Sequence, residues 1–191
     1  MLQAKTILEF WFGPSDAPDY GKPKAYWFGE KAEFDQEIRN QFLPDYQKAI
    51  EGYLDDWIDS AETCLALILL LDQFPRNMFR GKPEAFATDW EALSAAQYAV
   101  VQGYDCQLLP VQRWFIYLPF EHSENLVHQH QCVKLFQQLS HDPDSAKAIE
   151  HSLIHQEIIT RFGRFPHRNS ILGRTSTASE KEFLRQPSSW F

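Results

Sequence analysis

Four arginines crowd into one short stretch of this chain: Arg161, Arg164, Arg168 and Arg174, with no acidic residue among them. A guanidinium presents five donors in a fixed fork, a shape suited to carboxylate or phosphate. The stretch also holds His167 and Asn169, and it echoes an earlier one. Phe74-Pro-Arg-Asn77 and Phe165-Pro-His-Arg-Asn169 share Phe-Pro followed by Arg-Asn, each after an apolar predicted helix. One reading is that two helix exits aim Arg76, Asn77, Arg168 and Asn169 at a common cavity, with Asp72 and Gln73 beside the first exit. The other is a shared way of ending a helix, in which the arginines cap carbonyls and pair with Asp72, Glu121, Glu124 or Glu157.

A second group lies in Pro119-Phe-Glu-His-Ser-Glu124. Glu121, His122 and Glu124 bracket a predicted helix entry capped by Ser123, and their types suit an acid, a base or a metal ligand. Glu124 is equally a first-turn acid favoured by the helix dipole. Gln129 falls within the apolar arc of the helix that follows, so it needs buried hydrogen-bond partners. At 100° per residue, His151 and His155 fall within about 60° of Ile158, inside an apolar stripe. Two such histidines suit a metal, but Ser152 stands where His-Glu-x-x-His has its general base. A hydrogen-bonded core histidine is the alternative for each. Ser123 beside His122 is no nucleophile elbow, and phosphate loops and dinucleotide fingerprints are absent.

Helical periodicity dominates the elements that must position these residues. A short apolar helix around Ile7–Phe12 stops at Gly13-Pro14, and a Pro- and Gly-punctuated loop fills 13–24 before Trp27 and Phe28 open another element. Phe34, Ile38, Phe42 and Tyr46 form one stripe, with Pro44 expected to kink or divide the helix and Gly52 to end it. Asp59-Ser-Ala-Glu62 has capping-box chemistry. The run that follows, Cys64 to Leu71, is apolar on all sides, as expected of a central buried helix. Pro75 should disturb or end it. Thr88-Asp-Trp-Glu91 reads as a second capping box, opening a helix that closes near Gly103. Further helices are expected over 110–118, ended by Pro119, then 123–139 and 144–161, with a last short one starting at Ser176 or Thr177. The tryptophans at 11, 27, 57, 90 and 114 read as core. The fold class is all-α, a compact multi-helix domain spanning 1–191.

The 191 residues include 18 basic and 26 acidic, a net −8 with histidine neutral. The 161–174 segment is +4, so −8 less +4 leaves −12 elsewhere. General nucleic-acid binding is excluded by this balance. Three widely spaced cysteines, Cys64, Cys106 and Cys132, argue against a disulfide framework and fit a reducing compartment. The amino terminus fits a secretory signal poorly, and the longest apolar stretch is far short of the ~20 residues that span a bilayer. A cytoplasmic protein without membrane partners is expected.

Several strings together resemble the mainly bacterial family known as domain of unknown function 924. They are Phe10-Trp-Phe-Gly13, Trp27-Phe28, Leu70-Leu-Asp-Gln-Phe-Pro-Arg-Asn77, Arg80-Gly81, Ala85-Phe86 and Asp89. They continue through Leu118-Pro119, His122-Ser-Glu124, Gln129, His155, Phe162-Gly-Arg-Phe-Pro-His-Arg-Asn169, Leu172-Gly-Arg174 and Thr177. The resemblance spans nearly the whole chain. It implies an all-α fold similar to tetratricopeptide-like arrays and carries no agreed activity. His128, His130 and His151 lie outside its pattern, which favours His122 and His155.

Two functions follow as expectations. In the first, Asp72, Gln73, Arg76 and Asn77 face Arg164, His167, Arg168, Asn169 and Arg174 across a pocket for a small anion. His122, Glu124, Gln129 and His155 lie between them, and His122 with Glu124 moves protons. In the second, a tetratricopeptide-like scaffold binds a peptide or protein, and the motif residues form a buried structural network. A metal-dependent hydrolase built on His122, Glu124 and His155 is a third. Which cofactor, if any, serves the site is left unknown by the sequence.

Overall fold

The computed structural model describes residues 2–29 and 31–186; the last five residues of the chain, including Trp190, lie outside it. Its regular elements are all helical. They are α1 (Leu2–Phe12), α2 (Ala32–Ile50), α3 (Ala61–Ile68), α4 (Phe74–Met78), α5 (Asp89–Val101), α6 (Pro110–His122), α7 (Leu126–Gln137), α8 (Ala146–Phe162) and α9 (Ala178–Phe183). A π turn, Leu69–Gln73, joins α3 to α4.

The buried run 64–71 sits at the centre, as its all-round apolarity requires: every residue from Cys64 to Phe74 is buried. Around it pack α1, α5 and α6, with the Trp11 ring in contact with those of Trp27, Phe74 and Phe115. Trp27 opens no helix. It lies in the loop before α2, its ring in the core and its indole N–H donating to Trp11 O at 2.9 Å. Trp90 departs from the expected core role and is 71% exposed. Ile158, Ile159, Phe165 and Phe183 form a separate, smaller core under α8 and α9.

Prolines interrupt less than their chemistry suggests. Pro44 lies inside a continuous α2. The carbonyl it orphans, on Asn40, belongs to an exposed residue that water can serve. Pro119 lies inside α6, which runs one turn further, to His122. Pro75 does not end its helix either. The π turn precedes it, with Phe74 N–H bonding Leu69 O, and the chain continues as α4. Leu71 O, which Pro75 cannot bond, accepts instead from the Thr88 hydroxyl at 2.6 Å.

That bond explains why the second expected capping box is not formed: Thr88 makes no side-chain cap. At the first box the cap is Ser60, one residue later than Asp59, with its hydroxyl accepting from Thr63 N–H. Helix α7 is capped by Asn125 rather than Ser123, while Thr177 and Glu180 form a reciprocal box on α9. No helix among the described residues is long and apolar enough to cross a membrane.

Candidate functional site

The π turn carries the first polar groups into the interior. Asp72 is fully buried, and its carboxylate accepts from Gln73 Nε2 and His122 Nδ1, each at 2.7 Å. Arg76, one turn on, lies 3.3 Å from the same carboxylate and also donates to Asp72 O. Burial alone would raise the Asp72 pKa, but the Arg76 charge and the His122 and Gln73 hydrogen bonds outweigh it and hold the carboxyl well below its usual range. Burial, and then Arg76, lowers the His122 pKa. The imidazole is therefore neutral near pH 7, its Nδ1 proton directed at Asp72 and its Nε2 lone pair left as the basic nitrogen.

Helix α5 supplies the next group. Asp89, its first residue, bridges two arginines: Oδ1 lies 2.7 Å from Arg76 Nη1 and Oδ2 lies 3.4 Å from Arg168 Nη1. Arg168 is only 6% exposed, its guanidinium carbon 4.8 Å from the Phe86 ring centre and 4.6 Å from that of Phe165. The long bond to Asp89 is the one hydrogen bond its side chain makes among the described residues. Burial, then Arg76, pulls its pKa down to about 10. The two Phe-Pro exits thus bring both arginines to one carboxylate. Their asparagines go elsewhere: Asn77 donates to Asp35, and Asn169 to Ser176 and Glu180.

The remaining expected residues fall into supporting positions. Glu124 is clamped by Arg174 through two bonds, 2.6 and 2.9 Å, and accepts from Phe165 N–H. Burial opposes ionisation of Glu124, but Arg174 and that N–H prevail and lower its pKa. Arg164 pairs with Glu180 rather than with the cluster. Gln129, fully buried, donates to the carbonyls of Phe120, Glu121 and Ser123 and so closes the end of α6. His155 is buried and His151 exposed. The buried face of α8 runs through Ser152, His155, Ile158 and Ile159, so the expected stripe holds at Ile158 and His155 and leaves His151 outside it. His155 Nδ1 donates to His151 O and lies 3.5 Å from Glu121. Burial sets the pKa values of His155 and His167 at about 3 and about 4, and raises Glu121 to about 8.

Several of these residues keep a buried side-chain atom without a hydrogen-bond partner: Arg76 Nη2, Arg168 Nε, Arg174 Nε, Glu121 Oε2, Gln129 Oε1 and Asn169 Oδ1. Among the described residues no group of three or more His, Cys, Asp or Glu is placed to hold a metal ion. One surface cleft, of about 480 Å³, lies apart from the cluster, against Leu67, Leu71, Trp90 and Tyr98. Asp89 and Phe86 are the site residues that motif chemistry missed. Asp89 looked like a helix-start acid, and only its place beside Phe86 in the family-like strings pointed further.

The model of a family described as "Bacterial protein of unknown function (DUF924)" matches residues 7–188. The chain belongs to the DUF924 family. A solved structure of the "Protein of Unknown Function ATU0120" from Agrobacterium tumefaciens is similar throughout, with a TM-score of 0.85 and 38% identity. The match covers 96% of this chain and 97% of that one. No functionally curated protein matches significantly. The DUF924 assignment establishes the helical fold and leaves the chemistry of the Arg168 cluster to be argued from its geometry.

Proposed function

We propose that the DUF924 cluster binds a small anionic molecule against Arg168 and Arg76, and that His122 takes a proton there. The observation that carries this reading is Arg168: a buried guanidinium with one long hydrogen bond and an Nε without a partner. A buried cation so poorly matched is costly, and an added acceptor would relieve it. Asp72 fixes the His122 tautomer and leaves Nε2 as the base, the arrangement required of a histidine that accepts protons. In this reading Glu124, expected to move protons with His122, and His155, expected beside them in the site, act as positioning residues. Glu124 ties Arg174 and the backbone of Phe165 to the exit of α6. Gln73 orients Asp72, while Asn77, Asn169 and Arg164 hold the surrounding turns. Reduced cysteines fit a cytoplasmic setting.

Thermal unfolding with small carboxylates, phosphates and nucleotides at constant ionic strength tests the reading. A ligand at about 100 times its Kd should stabilise the protein by about 2.7 kcal/mol. In Arg168→Met, which keeps apolar bulk between Phe86 and Phe165, that gain should disappear. No stabilisation by any of these anions would overturn the proposal.

A second reading, a tetratricopeptide-like interaction scaffold, is favoured by the exposure of Trp90 beside the cleft of Leu67, Leu71 and Tyr98. It expects no anion response in either protein.

A further inference from the structure

Asp89 occupies the position between Arg76 and Arg168 that an incoming anion would seek, and this bears on which anion fits. We propose that Asp89 sets the charge accepted by the site, so that its ligand is a small monocarboxylate rather than a phosphate; this rests on the anion-binding reading above.

Charge and donor counts carry the argument. Arg76 and Arg168 face two carboxylates, Asp72 and Asp89, and Arg174 is matched by Glu124. With His122 neutral, the seat has no net charge to attract a multiply charged ligand. A phosphate monoester brings about −1.5 to −2 at neutral pH, a carboxylate only −1. In a poorly solvated site the extra charge of phosphate meets both Asp72 and Asp89 at close range.

The open donors point the same way. Arg76 offers one buried, unpartnered nitrogen, Nη2, and Arg168 offers one, Nε. Each guanidinium thus keeps one donor for an added acceptor, a small number that suits the two oxygens of a carboxylate better than the four of phosphate. The first turn of α5 is uncapped, because Thr88 sends its hydroxyl to Leu71 O. That helix end already carries Asp89 and Glu91 in its first turn, which offset its dipole, so it adds no positive charge that would favour phosphate. The contact between Asp89 and Arg168, at 3.4 Å, is the weaker half of the bridge. A ligand carboxylate that takes Arg168 would leave Asp89 on Arg76.

Calorimetric titration of the full chain with propionate and with inorganic phosphate, at constant ionic strength, decides the matter. Wild type should bind propionate about tenfold more tightly than phosphate. In Asp89→Asn, phosphate affinity should rise by about tenfold or more and propionate affinity by less, so the preference narrows or reverses. Asp89→Glu, which restores the charge, should keep the wild-type preference and guards against a folding defect in the amide variant. Tighter binding of phosphate by wild type, or weaker binding of both anions by a folded Asp89→Asn, would overturn the proposal while leaving the anion site in place. Failure of both anions to bind wild type and Asp89→Asn would overturn the underlying reading as well.

Discussion

The ionisation of Glu121 is at odds with its surroundings. Burial, with Asp72 second, pushes its pKa from 4.5 up to about 8. The folded value exceeds the unfolded one, so its contribution to stability is complete below about pH 4.5 and is lost as pH rises through about 8. Glu121→Gln keeps the shape and removes the titration. It should abolish that decline and stabilise the protein near pH 8 by on the order of a few kcal/mol. Denaturant unfolding at about pH 5 and about pH 8 measures the slope, and an unchanged slope in the variant would refute the assignment. His155 and His167 contribute to the opposite limb, alongside the lowered carboxylates Asp72, Glu124 and Glu180. The folded pKa values of the two histidines, about 3 and about 4, lie below the ordinary 6.5. Stability from keeping them neutral is present above about 6.5 and lost as pH falls through those folded values.

At the scale of elements, the π turn between α3 and α4 is the device that makes the site. It lengthens the helix exit by one residue per turn just where Asp72 and Gln73 must enter the interior. Pro75 follows without ending the helix because Thr88 serves Leu71 O from another element. Thr88→Val should leave that carbonyl unsatisfied, destabilising by about 1–3 kcal/mol. For a chain of this size that is a fall in Tm of roughly 2–4 °C per kcal/mol. Pro75→Ala in the same protein restores an N–H and should recover part of the loss. A Thr88→Val variant with the wild-type Tm would show that the bond contributes nothing.

Over the whole molecule, the acidic majority of the chain surrounds a basic segment that it largely neutralises, pair by pair. Arg164 meets Glu180, Arg168 meets Asp89 and Arg174 meets Glu124. The segment is anchored by a small core of its own, in which Phe183 packs with Ile158, Ile159 and Phe165. Such a satellite core should open more readily than the large one. Phe183→Ala, at a cost of about 3 kcal/mol, should speed amide exchange in α9 and over 164–174. Protection in α3 should stay as in wild type. Equal loss of protection in both regions would show that the two cores open as one unit.

The all-α class, the central burial of 64–71 and the buried Gln129 were legible in the sequence, because apolar periodicity and all-round apolarity act between near neighbours along one helix. Family-like strings marked Asp72, Arg76, His122 and Arg168 as belonging together, without saying how. What only the tertiary structure decided is which partners they take. The Arg168–Asp89 contact joins residues 79 positions apart, and Asp72–His122 joins residues 50 apart. Such pairs depend on how helices pack, as does the hydroxyl of Thr88, which left its own helix start to serve a carbonyl on another. Local chemistry named the donors and acceptors; the packing of α3 to α6 against the 161–174 segment chose between equally suitable mates.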